Sequence, residues 1–161
     1  MAITTQYSTE YDQANVSASG NLETHEMAGR VRCAYFTVAQ DGAGDAGSSA
    51  ALVKLPAGKV RLLAAQSKAY VNWTTASATL DLGWDAYEDI NGTAVAADAN
   101  GIDDGLAVDT AGYQTFGAAL TATGGTKVFE SKGGVVIRAT SADTAIADGD
   151  DLVGCLFYVV D

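Results

Sequence analysis

Residues 77–86, read Ser-Ala-Thr-Leu-Asp-Leu-Gly-Trp-Asp-Ala, carry an apolar side chain at every even position and a polar residue or glycine at every odd one. A strand sends successive side chains to opposite faces, so this period of two predicts a strand with one wet face. Ala78, Leu80, Leu82, Trp84 and Ala86 then point into a core, and Thr79, Asp81 and Asp85 point into water. Such a strand needs a packed layer behind it. The other apolar runs, at 30–39, 50–55, 59–65, 69–74, 113–120, 127–131, 133–140 and 152–160, read as strands that supply one. Eighteen glycines against the single proline Pro56 suit short strands joined by tight turns, and Leu-Pro-Ala-Gly at 55–58 is itself a strong turn.

These features predict an all-β chain, a β-sandwich of about eight antiparallel strands, with the jelly roll the commonest way to arrange them. An immunoglobulin-like order is the alternative, disfavoured because Trp73 and Trp84 lack the expected placing between two cysteines. The expected core includes Tyr35, Val60, Leu62, Leu80, Leu82, Trp84, Val135, Ile137 and Leu156. Two runs stand apart because both of their faces are apolar. In 30–39, Val31, Cys33 and Tyr35 share one face and Ala34, Phe36 and Val38 the other. The run 152–160 is apolar throughout, as expected of a central strand or of one whose outer face meets another chain. The segment 89–109, rich in aspartate and glycine, reads as mostly loop, with room for one helical turn at 92–99.

The first 29 residues are polar and poorly periodic, which divides the chain into an N-terminal extended arm at 1–29 and a sandwich domain at 30–161. Such an arm is either a frayed terminus or a segment ordered against a neighbouring subunit. In the second case Tyr7, Tyr11, Val16, Leu22 and Met27 are its interface anchors.

A formal charge of −11 sets the surface against nucleic-acid phosphates and anionic membranes, so neither is expected as a partner. No basic-then-apolar leader follows Met1 and no run approaches the ~18 apolar residues of a membrane span, which predicts synthesis in the cytoplasm. Cys33 and Cys155 lie in apolar runs without CxxC spacing and are expected to be buried free thiols.

Candidate chemistry is sparse. Gly42, Gly44 and Gly47 match GxGxxG, but the run leads into a strand-like segment and meets no acidic residue at the distance a dinucleotide site requires. His25, the single histidine, sits beside Glu23 and Glu26 without the partners of a triad or a zinc site. The carboxylate pairs Asp103–Asp104 and Asp150–Asp151 lie among glycines, which predicts exposed turns rather than glycosidase machinery. The segment 98–104, with Asp98, Asn100, Asp103 and Asp104 around Gly101, resembles part of a calcium loop but lacks its closing glutamate. The expectation is therefore a chain that is not an enzyme and has no catalytic, cofactor or metal site.

The runs at 26–32, 52–63, 71–74 and 82–87 together resemble the small virion structural proteins of tailed bacteriophages, of the capsid decoration or cement type. That resemblance implies a β-sandwich or jelly roll that is often trimeric and has no catalytic residues. It further implies binding to the major capsid protein on the outside of an expanded head, on the virion surface, which the bound protein reinforces. The alternative is a carbohydrate-binding or tail and fibre module, with Tyr70, Trp73, Tyr87 and Tyr113 stacking on sugars.

Overall fold

The computed structural model describes residues 29–160. Its strands are β1 (Val31–Ala39), β2 (Ser49–Leu55), β3 (Gly58–Leu63), β4 (Lys68–Val71), β5 (Thr79–Trp84), β6 (Tyr87–Glu88), β7 (Ala94–Val95), β8 (Asp98–Ala107), β9 (Gly112–Thr115), β10 (Thr126–Ser131), β11 (Val135–Ser141) and β12 (Asp151–Val160). Two sheets face each other. In the first, β12 pairs β1 on one side and β3 and β4 on the other, with β10 beyond β3 and β9 beyond β4. The second runs β2, β11, β5, β8, and all of these pairings are antiparallel. The short β6–β7 hairpin stands apart, its turn closed by Asp89 Oδ1 accepting from the amides of Asn91 and Thr93.

β3 and β4 run in the same direction along β12, separated only by a 3-10 turn at Ala64–Gln66. β9 and β10 are likewise halves of one strand interrupted by a 3-10 segment at Ala118–Thr123. Counting each broken pair once and setting the β6–β7 hairpin aside leaves eight strand positions. The first then pairs with the last, the second with the seventh, the third with the sixth and the fourth with the fifth. That wrapping is a jelly roll.

The two interruptions lie opposite each other, and buried side chains satisfy the backbone groups they strand. Ser67 Oγ donates to Leu63 O at 2.9 Å and accepts from Phe157 N at 2.8 Å, where β12 passes from β4 to β3. Across the core, Asp103 takes the amides of Gly117 and Ala118 at 2.7 and 2.8 Å. Its carboxyl is buried, and burial raises its pKa while these two amide bonds oppose the rise. Asp103 thus ties β8 of one sheet to the broken strand of the other. Replacing it by Ala leaves two amides without their acceptor and should cost about 2–4 kcal/mol. Thermal melting at pH 7 checks this, and an unchanged midpoint would show that the tie carries no stability.

Phe36, Leu55, Val60, Leu62, Leu80, Leu82, Ile102, Phe129, Val135, Ile137 and Leu156 fill the space between the sheets. Of the expected core only Tyr35 is misplaced, being 82% exposed. β1 turns Phe36 inward, so the odd face carrying Tyr35 turns out; with both faces apolar, alternation alone could not choose between them. Ala86 is also exposed, because β5 ends at Trp84.

The acidic segment 89–109 is corrected more substantially. Instead of loop with a helical turn it contains β7 and the ten-residue β8. Against β5, β8 slips register twice, between Leu80 and Leu82 and again between Leu82 and Trp84. These bulges bury the adjacent Ile102 and Asp103 together, which regular alternation forbids, and so hide the strand from periodicity.

Candidate interaction face

The outer faces of the two sheets differ in chemistry. On the second sheet it is polar, as the alternation at 77–86 requires. There Arg138 donates to Asp85 through Nε at 2.6 Å and Nη2 at 2.8 Å, and these bonds hold the Asp85 carboxyl below the usual carboxylate range. Asp81 Oδ1 accepts from Gly105 N at 2.8 Å, across the first bulge of β8.

On the first sheet the outer face of β1, β12, β4 and β9 is apolar and aromatic, while the neighbouring β3 and β10 carry Lys59, Arg61 and Glu130 on that side. Register places Thr37, Val153, Tyr70 and Tyr113 in one row across β1, β12, β4 and β9. The adjacent row is Tyr35, Cys155, Lys68 and Thr115, and Cys33 faces Phe157 in the next. Tyr35, Tyr113 and Val153 are 82%, 73% and 42% exposed. The Tyr70 and Tyr113 rings meet edge to face at 5.5 Å between centroids, and Lys68 Nζ lies 5.4 Å from the Tyr113 ring centre. Cys33 and Cys155 are free and half-buried among these side chains. Burial first, and then the neighbouring Cys33, pushes the Cys155 thiol up; Cys33 and then Cys155 push the Tyr35 phenol up in turn. Cys155 and Tyr35 therefore stay uncharged near neutral pH, and Lys68 is the charge at the middle of the face.

β12 sits at the centre of its sheet, which accounts for its backbone pairing on both edges. Its outward apolar side chains are a separate matter, since a sandwich buries only one face of each sheet. Of the two readings of the doubly apolar run 152–160, the sheet order shows the central strand, and in the single chain its outer face stays open.

The other expected features fall elsewhere. Tyr7, Tyr11, Val16, Leu22, Met27 and His25 lie outside the described residues. Gly42, Gly44 and Gly47 belong to a connection that enters strand β2 rather than a helix. It is pinned by Gly42 N to Asp148 Oδ1 at 2.9 Å and by backbone bonds between Gly44 and Ile146. Asp103 and Asp150 are buried, against the expectation of exposed turns. Asp150 Oδ1 accepts from the Thr74 amide and hydroxyl and Oδ2 from Ala147 N. Asp98, Asp103 and Asp104 lie on the bulged strand β8, and no group of three or more His, Cys, Asp or Glu side chains among the described residues is placed to hold a metal ion. Trp73 is in the core and Tyr87 packs edge-on against Phe129, so of the four aromatics considered for sugar stacking only Tyr70 and Tyr113 are presented to solvent.

A cavity of about 260 Å³ opens between the sheets at the end where β1 gives way to β2. Val38, Trp73, Leu80, Ile146 and Leu152 line it, and the polar groups of Asp150 and Ser141 at its wall are already engaged within the chain.

No protein-family model matches this chain, and no curated protein matches it in sequence. Among solved structures it is similar to a chain in the capsid asymmetric unit of cyanophage Pam1, with a TM-score of 0.53 and 19% identity, covering 89% of this chain and 96% of that one. It is also similar to a chain in the capsid of Ralstonia phage GP4, with a TM-score of 0.61 and 19% identity, covering 84% of this chain and 88% of that one. Strand order and these likenesses define the class: an all-β, jelly-roll-like fold of the kind present in two phage capsids. The likeness runs over nearly the whole of each matched chain. Among the described residues no helix is long and apolar enough to cross a membrane.

Proposed function

We propose that this chain is a non-enzymatic virion structural protein that binds the outer surface of a phage capsid and stabilises it, a decoration or cement protein. The observation that carries the reading is the extent of the structural likeness. Matches spanning 96% and 88% of chains in phage capsids mean that those chains are of about this size, a single jelly roll each. A small jelly roll suits an accessory role, adding contact area across joints in a shell built by a larger major capsid protein. In this reading the protein acts as a homo-oligomer, a trimer. Its arm at 1–29 reaches a neighbouring subunit or the shell through Tyr7, Tyr11, Val16, Leu22 and Met27. Many weak contacts repeated over the shell then supply avidity that no single subunit has.

Co-sedimentation with purified phage heads tests this. Full-length protein should pellet with expanded heads and raise the temperature at which they disrupt. A deletion of residues 1–22 should keep the melting curve of the sandwich while binding heads at least ~10-fold more weakly. Protein that never pellets with heads would sink the decoration reading. Equal binding without the arm would remove the arm's role.

A further inference from the structure

We infer that the outer face of the first sheet, centred on Tyr35, Val153, Tyr70 and Tyr113, is the surface on which a second copy of this chain docks. The inference deepens the proposed function, resting on its homo-oligomer component and naming the surface that makes the oligomer.

Charge favours a second copy as the partner. The chain carries 20 acidic residues against nine basic ones, so two copies repel each other over most approaches. Across the outward rows of β1, β12, β4 and β9 there is one carboxylate, Asp151, at the very end. It is engaged within the chain, its Oδ2 3.4 Å from the Asn72 side-chain amide. The rest of this face presents aromatic and aliphatic groups, thiols, threonines and Lys68. A basic partner would be met best by the acidic surfaces that cover the remainder of the molecule. A face this poor in carboxylates suits a partner that is itself strongly acidic, and a second copy has that property by construction.

Chemistry agrees with this choice. With ~4.8 Å between strands and ~3.3 Å per residue, β1, β12, β4 and β9 give a face of roughly 430 Å². That is about half the ~800 Å² per partner of a standard interface, the size of a weak contact that repetition over an assembly reinforces. Exposed tyrosines flanked by aliphatic groups, with few charges, match the composition of interface centres rather than of open surface. Closed symmetry would let every copy use the same face.

Sedimentation velocity on the full-length protein at tens of micromolar tests the assignment without phage heads. The wild type should sediment as an oligomer. Tyr35→Glu and Tyr113→Glu, each at an exposed position, should keep the wild-type melting curve and weaken association about 30-fold or more. Lys54→Glu, on the opposite sheet, should leave association unchanged. Raising NaCl from ~50 to ~500 mM should strengthen association of the wild type, because screening removes repulsion between like-charged copies; an ion-paired interface would weaken instead. A monomeric wild type overturns the inference, as does an oligomer unaffected by both tyrosine variants or one that dissociates in salt. Should one tyrosine variant fail to fold, the other decides. Head binding is scored separately: a monomer that still decorates heads overturns this inference and leaves the capsid reading intact, whereas an oligomer through this face that ignores heads does the reverse.

Discussion

Gly83→Val should abolish the fold. Gly83 lies on the outward side of β5, where alternation by itself would tolerate a side chain, yet it is buried. The bulged start of β8 crosses over it. A Cβ at this position would overlap the Asp98 carbonyl oxygen and the backbone of Ala99. The obstruction is main chain rather than a flexible side chain, so relief requires β8 to leave β5. That would also expose Trp84, against whose ring Gly101 packs so closely that a Cβ there would clash with it. We expect a loss above ~4 kcal/mol, enough to leave little folded protein at ordinary temperature. The control is Gly133→Val, where an added Cβ meets nothing within 4 Å. Circular dichroism and soluble yield of the two variants check the prediction. A folded Gly83→Val protein would show that β8 does not cross β5 as described.

Leu82→Ala should cost about 2–5 kcal/mol, from the transfer free energy of the lost methyl groups and the cavity they leave. Leu82 is fully buried at the middle of the second sheet, opposite Ala139 on β11 and Asp103 on β8. Both flanking residues are small or fixed: Ala139 cannot grow into the space, and Asp103 is held by its bonds to Gly117 and Ala118. Little collapse is available, which places the cost toward the upper part of the range. Denaturant unfolding of the variant against wild type measures it. A loss under ~0.5 kcal/mol is the behaviour of a surface site and would contradict the inward orientation of the residue.

These two positions are adjacent in the chain, and they mark the boundary between what residues alone determine and what needs the folded molecule. Leu82, with Leu80 and Trp84, announces its burial through the period of two, because the alternation of strand side chains is a local property of the backbone. The same local pattern marks most strands, the class of fold and the turn at Pro56, and it leaves 152–160 with one apolar face too many for a sandwich strand. The close approach at Gly83 is set by a segment some fifteen residues away, and nothing near Gly83 in the sequence encodes it.

The failures share that cause. β8 was concealed because its bulges break alternation, and bulges arise from pairing with β5 rather than from residues 98–107 themselves. Asp103 and Asp150 resemble turn carboxylates in sequence; only tertiary structure brings to them the amides of Gly117 and Ala118, and of Thr74 and Ala147. Tyr35 is expected in the core and lies outside it because β1 is apolar on both faces, and packing Phe36 into the core turns Tyr35 to solvent. The tyrosine face is likewise invisible in the linear sequence. Tyr35, Tyr70, Tyr113 and Val153 come from four strands scattered over more than a hundred residues, and antiparallel register alone places them side by side. Which residues can be buried was thus written locally in the chain, whereas which surface they left open was decided only when the strands paired.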